Sequence, residues 1–208
     1  MHFAISGIST DVGKTIVSAI FCQAYGFEYW KPIQSGTISD DDTATIRDFV
    51  SDQKTHPCSV LLKEPLSPHA AAAIEGVVIN PDTIKIPTSN HLLVEMAGGL
   101  MVPINDNGYL YSDFLVQHNL PTVLVSRHYL GSINHTLLSV ELLKQLNIPL
   151  LGIIFVGAEN KSTEEAILKN ANVDVYHRIP IAETLSKSFI AKEAESLKKS
   201  LFSKIFNE

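Results

Sequence analysis

The chain has 208 residues, with 16 Lys and Arg against 22 Asp and Glu and a formal charge of −6. At 45% hydrophobic and 18% charged it has ample material for a buried core, which excludes a disordered chain and a small disulfide-stapled scaffold. A mildly acidic chain of this length reads as one domain without the clustered Lys/Arg surface that captures nucleic acid.

Apolar runs alternate with amphipathic stretches. Residues 3–8 predict a strand buried on both faces, 14–25 a helix, 29–33 a second strand and 43–50 a helix. Strands at 92–96, 122–126, 150–156 and 173–179 follow, with helices over 112–118, 135–146 and 163–170 between them. Asn119-Leu120-Pro121 and Asn147-Ile148-Pro149 each stop a helix just before a strand. The tail from Lys187 to Glu208 reads as one or two amphipathic helices. The expectation is an α/β fold: a doubly wound, mostly parallel sheet of about six strands with helices on both faces.

Cys22 and Cys58 are far apart and form no CxxC pair, so a zinc site or disulfide framework is not expected. Met1-His2-Phe3-Ala4 lacks the basic start and apolar stretch of a signal peptide, and no apolar run approaches the roughly 18 residues that span a bilayer. The chain is expected to be cytoplasmic, with no membrane partner.

Directly after the first strand comes Gly7-Ile8-Ser9-Thr10-Asp11-Val12-Gly13-Lys14-Thr15, and then a helix. That is the place and composition of a phosphate-binding P-loop. Glycine lets successive backbone N–H groups converge on phosphate oxygens, and the helix start adds its unpaired donors. Lys14 would neutralise the outer phosphates, and the Thr15 hydroxyl has the reach for a magnesium ion. The spacing departs from the general motif, because five residues rather than four separate Gly7 and Gly13. A strand-to-helix turn that merely begins a helix is the plainer alternative.

Magnesium seeks oxygen ligands, so carboxylates are expected from other strand ends. Glu95 ends the apolar run Leu92-Leu93-Val94 and precedes Ala97-Gly98-Gly99, small residues that permit close approach. In Asp40-Asp41-Asp42, Asp40 and Asp41 read as a solvated helix cap, and Asp42 is assigned to metal. Lys31 in Trp30-Lys31-Pro32 ends a strand on the same edge, where a second cation would stabilise charge on a transferred phosphoryl group. Leu130-Gly131-Ser132-Ile133-Asn134-His135 opens a helix and fits an anion site or a plain cap equally. His69 and His135 have the chemistry of a general base and equally that of a packing or capping residue.

Together these segments resemble the dethiobiotin synthetase family over almost the whole chain. The resemblance rests on Gly7 with Thr10 to Thr15, Lys31-Pro32 with Ser35-Gly36, Ser67-Pro68-His69, Glu95 with Ala97-Gly98-Gly99, and Leu130-Gly131 with Ile133-Asn134-His135. It implies a P-loop NTPase-like fold and a homodimer that joins carbon dioxide to 7,8-diaminononanoate with ATP and magnesium. Carried over, the family roles place Asp11, Val12, Gly13, Lys14, Thr15 and Ile16 around the phosphates, with Ala97 and Gly98 also in the nucleotide region. Lys14 and Lys31 are the catalytic cations, and Thr15, Asp42 and Glu95 hold magnesium. Thr10, Lys31 and Ser35 touch the diamine or its carbamate, and Ser132, Ile133 and Asn134 of a neighbouring subunit hold the substrate's carboxylate. Arg178, Ile179 and Pro180 with Glu183 line the base or ribose region, though a strand and proline turn accounts for them equally.

Three departures stand out. Ile8 and Ser9 replace a polar pair, Met96 replaces a glycine, and Phe155-Val156-Gly157 lacks the asparagine that reads adenine in many relatives. Relaxed base selectivity is the expected consequence of the last. A different class, the nucleotide-switched P-loop ATPases of partition and positioning, usually carries a further lysine early in the phosphate loop, and residues 8–12 contain none.

Overall fold

The computed structural model of the chain describes residues 1–36 and 41–206. In chain order the elements are β1 (His2–Gly7), α1 (Lys14–Tyr25), β2 (Glu28–Trp30), β3 (Ile33–Gln34), α2 (Asp42–Phe49), β4 (Val60–Leu61), α3 (Pro68–Glu75) and β5 (Leu92–Gly99). There follow α4 (Tyr111–Gln117), β6 (Thr122–Arg127), α5 (Ser132–Gln145), β7 (Leu150–Val156), α6 (Lys161–Ala171), β8 (Tyr176–Ile179), α7 (Lys187–Lys198) and α8 (Ser203–Phe206).

Six strands form one sheet in the order β2-β5-β1-β6-β7-β8, and every pairing is parallel. Both faces are covered, as a parallel sheet requires. Phe3 and Ile5 of β1 point into a cluster with Ile20 and Phe21 of α1, Leu197 of α7 and Phe206 of α8. Ala4 between them faces the other cluster, with Trp30, Val94, Tyr111 and Phe114. The expected doubly wound α/β architecture is therefore the observed one. β1 lies between β5 and β6, so chains leaving in opposite directions open a crevice at its carboxyl end, where such folds place ligands.

The predicted helix stops work as their residue types dictate. Asn119 and Asn147 take left-handed φ values of 49° and 55°. The next amides turn back, Leu120 to the Leu115 carbonyl at 3.0 Å and Ile148 to Leu143 at 2.8 Å, satisfying otherwise orphaned acceptors.

Several boundaries differ from expectation for physical reasons. The strand expected over 29–33 breaks at Lys31-Pro32, because Pro32 has no N–H to continue a ladder. Its carbonyl instead accepts from Ser59 and Val60 at 2.8 and 3.2 Å, starting the small parallel pair β3–β4. The strand expected from residue 173 begins at Tyr176, because Asn172 (φ 54°) caps α6 and the Val173 amide bonds back to Leu168 at 3.2 Å. α5 begins at Ser132 rather than at residue 135, following Gly131 at φ 103°. The tail forms two helices within the described residues; Asn207, Glu208 and the cap role of Asp40 lie outside them. In β7, a Cβ on Gly152 would sit 2.6 Å from the Phe202 ring and 2.6 Å from the Val175 carbonyl, so glycine lets the C-terminal segment close against the strand.

Candidate active site

The loop after β1 folds tightly on itself. A Cβ on Gly7 would lie 2.7 Å from the Val12 side chain and 2.8 Å from the Ser9 carbonyl, so only glycine allows this path. Asp11 (φ 56°) and Gly13 (φ 95°) turn the chain into the first turn of α1. Arg127, at the end of β6, braces the loop by donating to the Asp11 carbonyl at 3.1 Å. Lys14 is 7% exposed and donates across the loop to Ser9 O at 3.1 Å. Burial pushes its pKa below the ordinary lysine value, Glu95 opposes this, and the positive charge of Lys31 adds to the lowering.

Three elements bring oxygen donors together beside it. The Thr15 hydroxyl, in the first turn of α1, lies 2.5 Å from Asp42 Oδ1 and 2.9 Å from Glu95 Oε1. Asp42 opens α2, whose N-cap is Asp41; the exposed Asp41 carboxylate accepts from the Ala44 amide at 3.0 Å, as its cap assignment requires. Lys31 sits just past β2, donating to Asp42 Oδ2 and to Glu95 Oε1, the latter at 3.3 Å. Burial would discharge Lys31, but Glu95 and Asp42 outweigh it and raise its pKa, so the ammonium stays charged. Burial would likewise protonate Asp42, and the Lys31 charge prevails and lowers its pKa.

These groups line a cleft of about 820 Å³. Of the residues singled out in the sequence, Thr10, Asp11, Gly13, Lys14, Thr15, Ile16, Lys31, Ser35, Asp42, Glu95, Ala97 and Gly98 all face it. The Ser35 Oγ is buried there with no hydrogen-bond partner among the described residues. Val12 is not on the wall; it is buried behind the loop in the core.

Arg178, Ile179, Pro180 and Glu183 do not line this cleft, although Leu185 does. Arg178 is bound to acids: its Nε and Nη2 reach Glu164 at 2.9 and 2.6 Å, and Nη2 reaches Glu159 at 3.1 Å. Ile179 is buried in β8 beside Val156 of β7. Val156 in turn lies 3.4 Å from where a Cβ on Gly13 would be, so the β7 end adjoins the loop on the side away from Lys31. Met96 is fully buried in the second core cluster.

Ser132, Ile133 and Asn134 also lie off the cleft. The adjoining hollow, about 640 Å³ and sharing Thr10 and Val102 with it, is walled by His135 and Leu138 of the same helix. His135 Nδ1 pairs with the Tyr129 hydroxyl at 2.7 Å, and His69 Nδ1 is buried without a partner among the described residues.

Sequence reasoning missed a supporting layer. Ser18 donates to Glu95 Oε2 at 2.7 Å and Tyr29 donates to the same oxygen at 3.1 Å. Gln34 accepts from the Asp42 amide at 3.3 Å. The signals were present: Ser18 is three residues after Thr15 on one helix face, and Tyr29 is two before Lys31 on one strand face. A hydroxyl and two carboxylates beside buried ammonium groups suit a hard divalent cation and a polyanion.

A family model described as an AAA domain matches residues 2–188. Solved structures share the fold: a ParA family ATPase from Chlorobium tepidum at TM-score 0.56 and 16% identity, covering 98% of this chain and 95% of that one. A putative plasmid partition protein from Borrelia burgdorferi, bound to AMPPNP, gives TM-score 0.58 at 12% identity, covering 98% of both. The chain is also similar to the ATP-dependent dethiobiotin synthetases of Christiangramia forsetii, 44% identical over 96% of this chain and 97% of that protein, and of Cytophaga hutchinsonii, 41% identical over 94% and 96%. Sequence identity of this depth over nearly full lengths shows that the chain belongs to the ATP-dependent dethiobiotin synthetase family of ligases.

Proposed function

We propose that this chain is a cyclo-ligase that joins carbon dioxide to 7,8-diaminononanoate at the expense of ATP, giving dethiobiotin, ADP and phosphate. The observation that carries the reading is the convergence of Lys14, Lys31, Thr15, Asp42 and Glu95 in one cleft. The loop from Asp11 to Ile16 would hold the phosphates with its backbone N–H groups, and Lys14 the outer phosphates. Thr15, Asp42 and Glu95 would hold magnesium, which when bound offsets the phosphate charge.

One amine of the diamine adds to carbon dioxide and loses a proton to form a carbamate. A carbamate oxygen then attacks the γ-phosphorus, and the bond to ADP breaks. The second amine attacks the carbonyl of this mixed anhydride, the carbon–oxygen bond to phosphate breaks, and the ring closes. Lys31 would stabilise charge as it moves between the phosphoryl group and its acceptor, because its ammonium is fixed in advance. Thr10 and the Ser35 hydroxyl would orient the carbamate.

The substrate's tail carboxylate would rest on the α5 start of a second copy, at Ser132, Ile133 and Asn134, in a homodimer. Leu130, Met101 and Leu138, all strongly exposed apolar residues close to that helix or the adjoining hollow, support such an interface. Arg178, Ile179, Pro180 and Glu183 would border the nucleoside beyond Val156. No helix among the described residues is long and apolar enough to cross a membrane, and the reading places the reaction in the cytoplasm.

The test is phosphate release by the purified protein with ATP, magnesium, bicarbonate and 7,8-diaminononanoate. Release in step with ring formation supports the ligase, and release indifferent to the diamine supports a nucleotide switch. The fold likeness to partition ATPases carries no activity at 12–16% identity.

A further inference from the structure

Glu95 is completely buried, and its two oxygens have separate company. Oε1 faces the cleft side, with the Thr15 hydroxyl at 2.9 Å and the Lys31 ammonium at 3.3 Å. Oε2 is turned away and receives two hydroxyl donors, Ser18 at 2.7 Å and Tyr29 at 3.1 Å. Both donors are themselves fully buried.

Tyr29 cannot move aside. Its amide donates to Lys54 O at 3.0 Å, its carbonyl accepts from the His56 amide at 2.9 Å, and its strand is registered against Leu93 of β5. Ser18 is fixed by the α1 backbone. The carboxylate plane is therefore pinned on one side by groups that have no other assigned work.

We infer that Ser18 and Tyr29 are positioning residues that restrict Glu95 to one-oxygen coordination of the divalent cation, and so set the site's preference for magnesium over calcium. This rests on the reading of the cleft as a cation–nucleotide site. Magnesium demands a compact octahedron and takes a carboxylate through one oxygen, whereas calcium accepts six to eight oxygens and gains from two-oxygen carboxylate contacts. With Oε2 held by two donors, the two-oxygen mode requires breaking two charge-assisted hydrogen bonds.

The experiment titrates ADP into the full chain with magnesium alone, calcium alone or neither, by calorimetry, for wild type, Tyr29→Phe, Ser18→Ala and the double variant. For either single variant the ratio of calcium-supported to magnesium-supported affinity is expected to rise about tenfold, the lower end of what removing one hydrogen bond to a charged group gives. The double variant is expected to exceed both. The singles give the same readout, so the test survives a double variant that fails to fold. Equal weakening with both cations, leaving the ratio within about twofold of wild type, would show a merely structural role and overturn the inference. Wild type that binds ADP identically with and without either cation would remove the cation site itself, and this inference with it.

Discussion

Thr15 and Asp42, 27 positions apart in sequence, meet hydroxyl to carboxylate at 2.5 Å, and Lys31 grips the other oxygen of the same carboxylate. The start of α2 is thereby tied to the start of α1 through groups that the proposed chemistry also needs. Stability and turnover should be coupled at this point, which a substitution series can separate.

Lys31→Ala removes the cation on which the reaction charge is proposed to develop, and turnover should fall about 100-fold or more. Stability should fall as well, because Asp42 and Glu95 lose their buried counterion. Breaking a buried pair costs about 3–5 kcal/mol, and the 21% exposure of the Asp42 side chain places this case toward or below the lower figure. Adding Asp42→Asn should restore part of the lost thermal midpoint and none of the turnover. Restored turnover would show that Lys31 serves only the fold.

Base choice should be broad. Val156 presents only methyl groups beside Gly13, so no side-chain hydrogen bond from that position distinguishes adenine. ATP, GTP and CTP should give kcat/KM values within roughly tenfold of one another, since one hydrogen bond to a neutral group contributes about 1 kcal/mol. Strict dependence on ATP would contradict this.

Acid should loosen the sheet edge before the core. Glu28 receives the Lys54 ammonium at 2.7 Å and pairs with His56 at 2.6 Å. The Lys54 bond, opposed by burial and joined by bonds from His56 and Ser89, holds the Glu28 carboxyl down at about 2 from an ordinary 4.5. A depressed carboxyl contributes stability in full above its unfolded value and loses it as pH falls toward its folded one. Urea unfolding between pH 5 and pH 2 should therefore show a decline that Glu28→Gln flattens; an unchanged slope in that variant would assign the decline elsewhere.

Gly152→Ala should destabilise the fold by about 1–3 kcal/mol, the cost of an overpacked core contact. The added methyl would meet both a backbone carbonyl and the Phe202 ring. Phe202→Leu in the same chain should relieve only the ring contact, so partial recovery in thermal unfolding is expected, and none would place the strain at the Val175 carbonyl.

Much of the sheet was legible because β1, β6 and β7 are nearly continuous apolar runs and Asn-x-Pro stops precede β6 and β7, each of which the backbone honours at Asn119 and Asn147. The site was legible where chemistry follows a strand end, as at Gly7 and Lys31; Glu95 stood out as an acid in an apolar run, although β5 continues past it to Gly99 rather than ending there. β4 is two residues long and leaves no periodic trace. α3, with four consecutive alanines after Pro68, has no clear polar and apolar stripe to betray it. Ser18 and Tyr29 were invisible for a different reason: a buried hydroxyl in an apolar run looks like core until its partner, Glu95, is placed 77 and 66 positions away.

In the proposed reaction carbamate oxygen, and not water, receives the phosphoryl group in this cleft. Oxygen-18 supplied in freshly dissolved carbon dioxide tests it most directly, with the released phosphate analysed by mass spectrometry during turnover on the diamine. The proposed course transfers one labelled oxygen into each phosphate when the anhydride's carbon–oxygen bond breaks. Phosphate carrying no label, while labelled dethiobiotin accumulates, would contradict it.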